Sequence, residues 1–263
     1  MPSSGGDHER FTMQKNRVGL IVPSSNTTME TEIPAILAAR SEIRPETFTF
    51  HSSRMRMKHV TPEELTAMDA DSLRCAAELA DARVDVMAYA CLVAIMSQGT
   101  GYHRESQKKL AAVAEEVAGS AIPVVSSAGA LVEALQHLQV KKVAVLTPYV
   151  KELTATVCEY IEFEGIEVVD SISLEVSDNL AVGRLDPQQL IQLAHQVKTS
   201  DADALVLSAC VQMPSLAVLD TVQQQFDIPV LSAASATTWR LLKDLGLDPV
   251  APRAGRLLAP AAG

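Results

Sequence analysis

No apolar run in this 263-residue chain approaches the roughly 20 residues that a membrane-spanning helix needs. The first sixteen residues, MPSSGGDHERFTMQKN, hold no apolar stretch, so they exclude a secretory leader and predict a flexible tail over 1–16. Positive charge is scarce: 22 Lys and Arg stand against 32 Asp and Glu, a formal net charge of −10. Nucleic acid and anionic membrane repel such a chain, so neither is an expected partner, and an anionic ligand would need a site locally positive against the overall field. Only four cysteines occur, Cys75, Cys91, Cys158 and Cys210, with no CxxC and no HExxH. The six histidines, at 8, 51, 59, 103, 137 and 195, lack ligand spacing, and no metal is expected. GxGxxG and Walker A loops are missing as well. The expected compartment is the cytoplasm, where cysteines persist as thiols.

What is present is a globular composition, 48% hydrophobic and 21% charged, long enough for one large domain or two lobes of about 130 residues. Internal repetition favours two lobes. RVGLIVPSSN (Arg17 to Asn26) and KVAVLTPYVK (Lys142 to Lys151) both read as short buried strands ending at a proline, with Pro23 and Pro148 125 residues apart. The same offset relates TPEEL at Thr61 to DPQQL at Asp186, each with an N-cap residue, a proline at the first helical position and Glu or Gln three after the cap. AIPVVSSAGA (Ala121 to Ala130) returns as DIPVLSAASA (Asp227 to Ala236) at an offset of 106. Between these markers lie AYACLVAIM (Ala88 to Met96) and LSACVQM (Leu207 to Met213), which set Cys91 and Cys210 in nearly the same surroundings.

Strands are predicted near 17–23, 45–51, 84–90, 121–126, 142–147, 166–172, 203–209 and 227–232, with helices between them. This is the α/β pattern of two pseudo-symmetric lobes, each a four-stranded parallel sheet flanked by helices. Residues 17–120 plus 233–263 are expected to form the first lobe and 121–232 the second, the lobes exchanging their last elements. Ligands of open parallel sheets bind at the carboxyl ends of the strands, which directs attention to PSSNTT, TPYVK, SDN, ACLV and ACVQ.

Cys75 and Cys158 fall inside helical patterns and read as small core residues. Cys91 and Cys210 each follow a buried strand and precede a helix, where free N–H groups favour a thiolate and bind carboxylates, an expected electropositive nest. Two lobes facing across a cleft would bring the two thiols into pseudo-twofold opposition. PSSNTTMETE doubles as a strand-to-helix loop whose Ser and Thr can cap the helix. The basic segment SSRMRMKHV (Ser52 to Val60) reads as a solvated or subunit-contact loop outside the site, His103 as structural, and Trp239 as packing in the last helix.

VGLIVPSSNTTMETEIPA (Val18 to Ala35), AYACLVAIM and LVLSACVQMPS (Leu205 to Ser215) resemble the bacterial maleate cis-trans isomerases of the aspartate/glutamate racemase superfamily, over nearly all of residues 17–245. The resemblance implies a cofactor-independent enzyme acting on a small dicarboxylate, maleate, between two lobes, as a homodimer or higher homo-oligomer, in aromatic-acid catabolism such as nicotinate degradation. It implies Cys91 as nucleophile, Cys210 as its acid/base partner, and Asn26, Tyr149 and Asn179 as substrate-binding groups. The residues after the two cysteines, Leu92, Val93, Val211 and Gln212, are expected to add backbone N–H contacts to substrate. The same pair of thiols would serve an amino-acid racemase of the aspartate/glutamate type as opposed acid and base. A related decarboxylase would be expected to keep one cysteine of the pair, and a two-lobe small-acid sensor would give no reason for two thiols.

Overall fold

The computed structural model describes residues 15–260. The first half runs β1 (Lys15–Pro23), α1 (Met29–Arg40), β2 (Thr47–Met55), α2 (Pro62–Asp81), β3 (Val86–Tyr89), α3 (Leu92–Met96), α4 (Tyr102–Ala118), β4 (Val124–Ser126) and α5 (Ser127–His137). The second runs β5 (Lys142–Thr147), α6 (Lys151–Phe163), β6 (Glu167–Ser173), α7 (Asn179–Val182), α8 (Gln188–Gln196), β7 (Ala204–Ser208), α9 (Leu216–Gln223), β8 (Val230–Ser232) and α10 (Ala233–Asp244). Among the described residues the named strands pair in parallel, in two sheets of the same order, β2-β1-β3-β4 and β6-β5-β7-β8. Helices cover both faces of such sheets, so their central strands are apolar throughout: VMAY in β3 and ALVLS in β7 are buried at every position. No helix among the described residues is long and apolar enough to cross a membrane.

The repeated sequence markers become repeated caps. The Thr61 hydroxyl accepts from Glu64 N–H and Pro62 opens α2. Asp186 accepts from Gln188 N–H, and its helix begins one residue later than the pattern predicts. Ser126 and Ser232 cap α5 and α10 by accepting from the N–H three residues on.

Three boundaries move. Lys15 and Asn16 belong to β1, not to a tail, and the rest of the expected tail, 1–14, lies outside the described residues. β2 is shifted toward the C-terminus of its predicted range, because β1 pairs with it over nine positions, from Lys15↔Thr47 to Pro23↔Met55. The boundary at 121 is corrected as well: β4 hydrogen-bonds to β3, so the first sheet reaches Ser126 within the range expected for the second lobe. α10 packs against α1, α5, β3 and β4 and also touches β8.

Candidate active site

The two cysteines stand at matching places. Ala90 N–H bonds to Ile21 O at 3.0 Å, carrying the end of β3 alongside β1; Ala209 N–H bonds to Leu146 O at 2.9 Å and does the same for β7 and β5. Cys91 and Cys210 follow directly, both buried and both lining one cavity of about 270 Å³. Their backbones differ. Cys91 has φ 88° and ψ 76°, in left-handed space, at the start of α3. Cys210 opens a tight loop in which the Ser208 hydroxyl donates to Cys210 O at 2.9 Å and Met213 O at 3.2 Å.

The remaining cavity walls come from both lobes: Pro23, Asn26, Met57, Val60 and Val93 from the first, Tyr149, Asn179, Val211 and Gln212 from the second. Of the sequence-predicted site residues, only Leu92 is not on this wall; it is fully buried in the core. The part of the cavity able to hold the centre of a water molecule is about 10 Å³, roughly what a single water needs. A roomier groove between α2 and α4, about 580 Å³, is open to solvent and holds no thiol.

Asn26 rather than a Ser or Thr caps α1: its Oδ1 accepts from Thr28 and Met29 N–H, both at 3.0 Å, and Thr28 makes no side-chain cap. That leaves the Asn26 Nδ2 group without a hydrogen-bond partner among the described residues, on the cavity wall. Asn179 donates to Ser25 Oγ at 2.8 Å, tying the second-lobe loop to the first. The Tyr149 hydroxyl donates to Ala209 O at 3.4 Å and lies beside Cys210. The Gln212 side chain is fully engaged as a buckle between the lobes. Its Oε1 accepts from Thr27 and Thr28 N–H (2.8 and 3.2 Å), and its Nε2 donates to Ser25 O and Asn179 O (3.1 and 2.9 Å). Gln212 therefore has only its backbone N–H left for the site, and that group bonds the Cys210 thiol.

The N–H groups of the expected nest are present, but burial outweighs them and the thiols are raised rather than lowered. No Lys, Arg or His is among the cavity-lining residues. Burial pushes the Cys91 thiol up to about 12, opposed by a hydrogen bond from Ala94 N–H. Burial raises Cys210 as well, opposed by the Tyr149 hydroxyl and the N–H groups of Gln212 and Met213. Tyr149 is raised well above its ordinary value, first by burial and then by the two nearby thiols. Among the described residues lining this cavity, the donors able to meet negative charge are backbone N–H, amide and phenol groups.

Pro23, Met57 and Val60 were missed in the sequence. Met57 and Val60 lie in the basic segment assigned to an outside loop, which instead crosses to the second lobe and forms the bridge His59↔Asp178. Arg54 of the same segment works from behind the site, donating to Asn26 O at 2.7 Å and Ser24 O at 3.0 Å and pairing with Glu30. Alternation of basic and apolar residues in RMRMKHV was the available signal. His103 is buried, with its Nδ1 2.5 Å from the Tyr160 hydroxyl, and does not line the cavity.

The sequence model of the arylmalonate decarboxylase family matches residues 18–258. A maleate isomerase of Geobacillus stearothermophilus is 60% identical over 244 residues, covering 92% of this chain and 97% of that protein. The chain belongs to the maleate isomerase family. Solved members share its fold closely. The maleate isomerase Iso of Pseudomonas putida S16, as a cysteine-to-alanine mutant with maleate, superimposes with a TM-score of 0.93 at 58% identity, covering 94% of this chain and 99% of that one. A cysteine-to-serine mutant of the Nocardia farcinica maleate cis-trans isomerase, with a covalently bound succinylcysteine intermediate, gives 0.90 at 46% identity, covering 94% of this chain and all of the other. Arylmalonate decarboxylase, at 21% identity and a TM-score of 0.77, shares the fold with these maleate isomerases.

Proposed function

We propose that this protein is a cofactor-independent maleate isomerase that converts maleate to fumarate through a succinyl adduct on Cys91. The observation that carries this reading is the pair of buried thiols at equivalent strand ends, on opposite lobes of one small cavity walled by neutral donors. The maleate-bound and succinylcysteine-bearing relatives support it.

The chemistry follows from the double bond. Maleate cannot rotate about C=C without breaking the π bond, and a soft sulfur nucleophile removes that bond reversibly. The Cys91 thiol, neutral at rest, first gives its proton to water, and its thiolate, favoured locally by Ala94 N–H, adds to one olefinic carbon. The π electrons move onto the adjacent carboxylate as an enediolate, within reach of donors such as Asn26 Nδ2, Asn179, Tyr149 and the N–H groups following the cysteines. Cys210 gives its proton to the second carbon, which leaves a Cys210 thiolate and a covalent succinyl-cysteine. Rotation about the new single bond brings the carboxylates apart. Cys210 then takes a proton back from the second carbon, the C–S bond breaks, and fumarate leaves with Cys91 again a thiolate.

The same reading extends to a cytoplasmic homo-oligomer serving aromatic-acid breakdown such as that of nicotinate. All four cysteines are free thiols, in accord with a reducing compartment. Proton NMR of the purified protein with maleate in D₂O, followed by intact mass after a rapid quench, tests the reaction. Fumarate, with a transient adduct of one maleate equivalent on the Cys91 peptide, is the expected result. No fumarate, with deuterium entering the α-position of aspartate or glutamate instead, would make the two thiols a racemase's acid and base.

A further inference from the structure

Glu32 is a buried carboxylate that the isomerisation scheme does not use. It belongs to α1 of the first lobe, yet its side-chain hydrogen bonds all cross to the second. Oε1 accepts from Ser215 N–H and Leu216 N–H, both at 2.6 Å, and Oε2 from the Ser215 hydroxyl at 3.3 Å. Ser215 holds the N-cap position of α9, but its side chain makes no capping bond. The free N–H groups at that helix start are instead met by a carboxylate 183 residues away in sequence. Charge-assisted bonds of this kind are stronger than neutral ones, and an anion has the favourable sign at a helix start.

The chain between Ser215 and Cys210 transmits that anchoring. Met213 N–H closes back on Cys210 O at 3.2 Å, the Ser208 hydroxyl holds the carbonyls of both, and Pro214 fixes the next φ. A shift at Ser215 therefore moves Cys210 rather than being absorbed by the loop. Both thiols are anchored to their sheets through the preceding alanine, Ala90 or Ala209, and only Cys210 has this further tether.

We infer that Glu32 is a positioning residue: its carboxylate, reaching from the first lobe to cap α9 in the second, sets where Cys210 stands relative to Cys91. The kinetic readout of this inference rests on the isomerase reading, so a second readout is chosen that does not.

The test compares Glu32→Ala with Glu32→Gln, which keeps an Oε1 acceptor for both N–H groups. Glu32→Ala is expected to lose about tenfold or more in kcat for maleate with KM held within about twofold, and Glu32→Gln to stay within about threefold of wild type. Iodoacetamide labelling with peptide mapping is run alongside. Cys210 alkylation in Glu32→Ala should change by about threefold or more while Cys91 keeps its wild-type rate. Unchanged kcat and unchanged Cys210 labelling overturn the inference. Equal changes at both thiols, or equal losses in the alanine and glutamine variants, also overturn it, because they mark general loosening. If the wild-type protein leaves maleate untouched, the isomerase reading fails by itself and the labelling still decides Glu32. Should Glu32→Ala not fold, Glu32→Asp, one methylene short of α9, replaces it with the same outcomes.

Discussion

Replacing Gly183 by alanine sets two opposing effects against each other, and magnitudes decide the sign. Gly183 follows α7 with φ −68° and ψ −8°, ordinary right-handed helical values. At such a position Gly→Ala normally stabilises by about 0.4–1 kcal/mol, because alanine has less unfolded-state freedom to lose. Here the new methyl would lie 2.5 Å from Gln212 Nε2 and 3.0 Å from both Gln212 Cδ and Thr27 Oγ1. Gln212 is 1% exposed, and its amide makes four hydrogen bonds, so it has no free rotamer to move into. At roughly 1 kcal/mol net per bond, losing two to four of them costs about 2–4 kcal/mol, and the balance is about 1–3 kcal/mol of destabilisation. Urea unfolding followed by circular dichroism measures it directly. The double variant Gly183→Ala with Gln212→Ala should recover about 1 kcal/mol or more relative to the sum of the singles, because the methyl then has space. A Gly183→Ala protein as stable as wild type, or more so, would refute the view of Gln212 as a fixed buckle between the lobes.

Cys91→Ala should retain the fold and lose about a thousandfold or more in turnover, measured by fumarate absorbance; substantial residual activity would remove the covalent route. Cys210→Ser should cost less than Cys91→Ala and accumulate the maleate adduct on Cys91, seen by intact mass, since a neutral hydroxyl is a poor base for taking the proton back from the second carbon. Tyr149→Phe removes the hydroxyl that holds the Cys210 pKa down. Its kcat should fall about 10- to 100-fold, and Cys210 alkylation at pH 9 should slow; faster alkylation would contradict the assignment. Because burial raises Cys91 to about 12, its ligand-free thiol is neutral at pH 7. Its alkylation rate should climb about tenfold per pH unit from 7 to 10, and a plateau below pH 9 would show that the backbone donors outweigh burial.

The sheets were legible because buried parallel strands leave continuous apolar runs, ended here by Pro23 and Pro148, and because the helix starts carry side-chain caps. β2 was less legible: TFTFHSSRM is an edge strand, half-exposed, and its basic end is strand only because β1 lies alongside. The thiols could be found from the doubled setting of AYAC and LSAC at strand ends. Their high pKa could not, since it depends on how tightly the lobes close over them. Glu32 and Gln212 were out of reach for a related reason. Their partners in the opposite lobe lie 183 to 187 residues away, and neither periodicity nor a local motif signals a contact of that range.

The left-handed backbone at Cys91 makes a two-fold architecture unequal in energy. An L-residue in that region gives up roughly 1–2 kcal/mol that glycine would not, while Cys210 at the matching position carries no positive φ. A sequence optimised for endurance alone would place glycine at 91, and the molecule would be sturdier and inert. The strain also separates two halves that copy each other in strand order and in the serine caps of α5 and α10. Two identical halves would hold two interchangeable thiols; in this chain the backbones at Cys91 and Cys210 already differ before any substrate arrives.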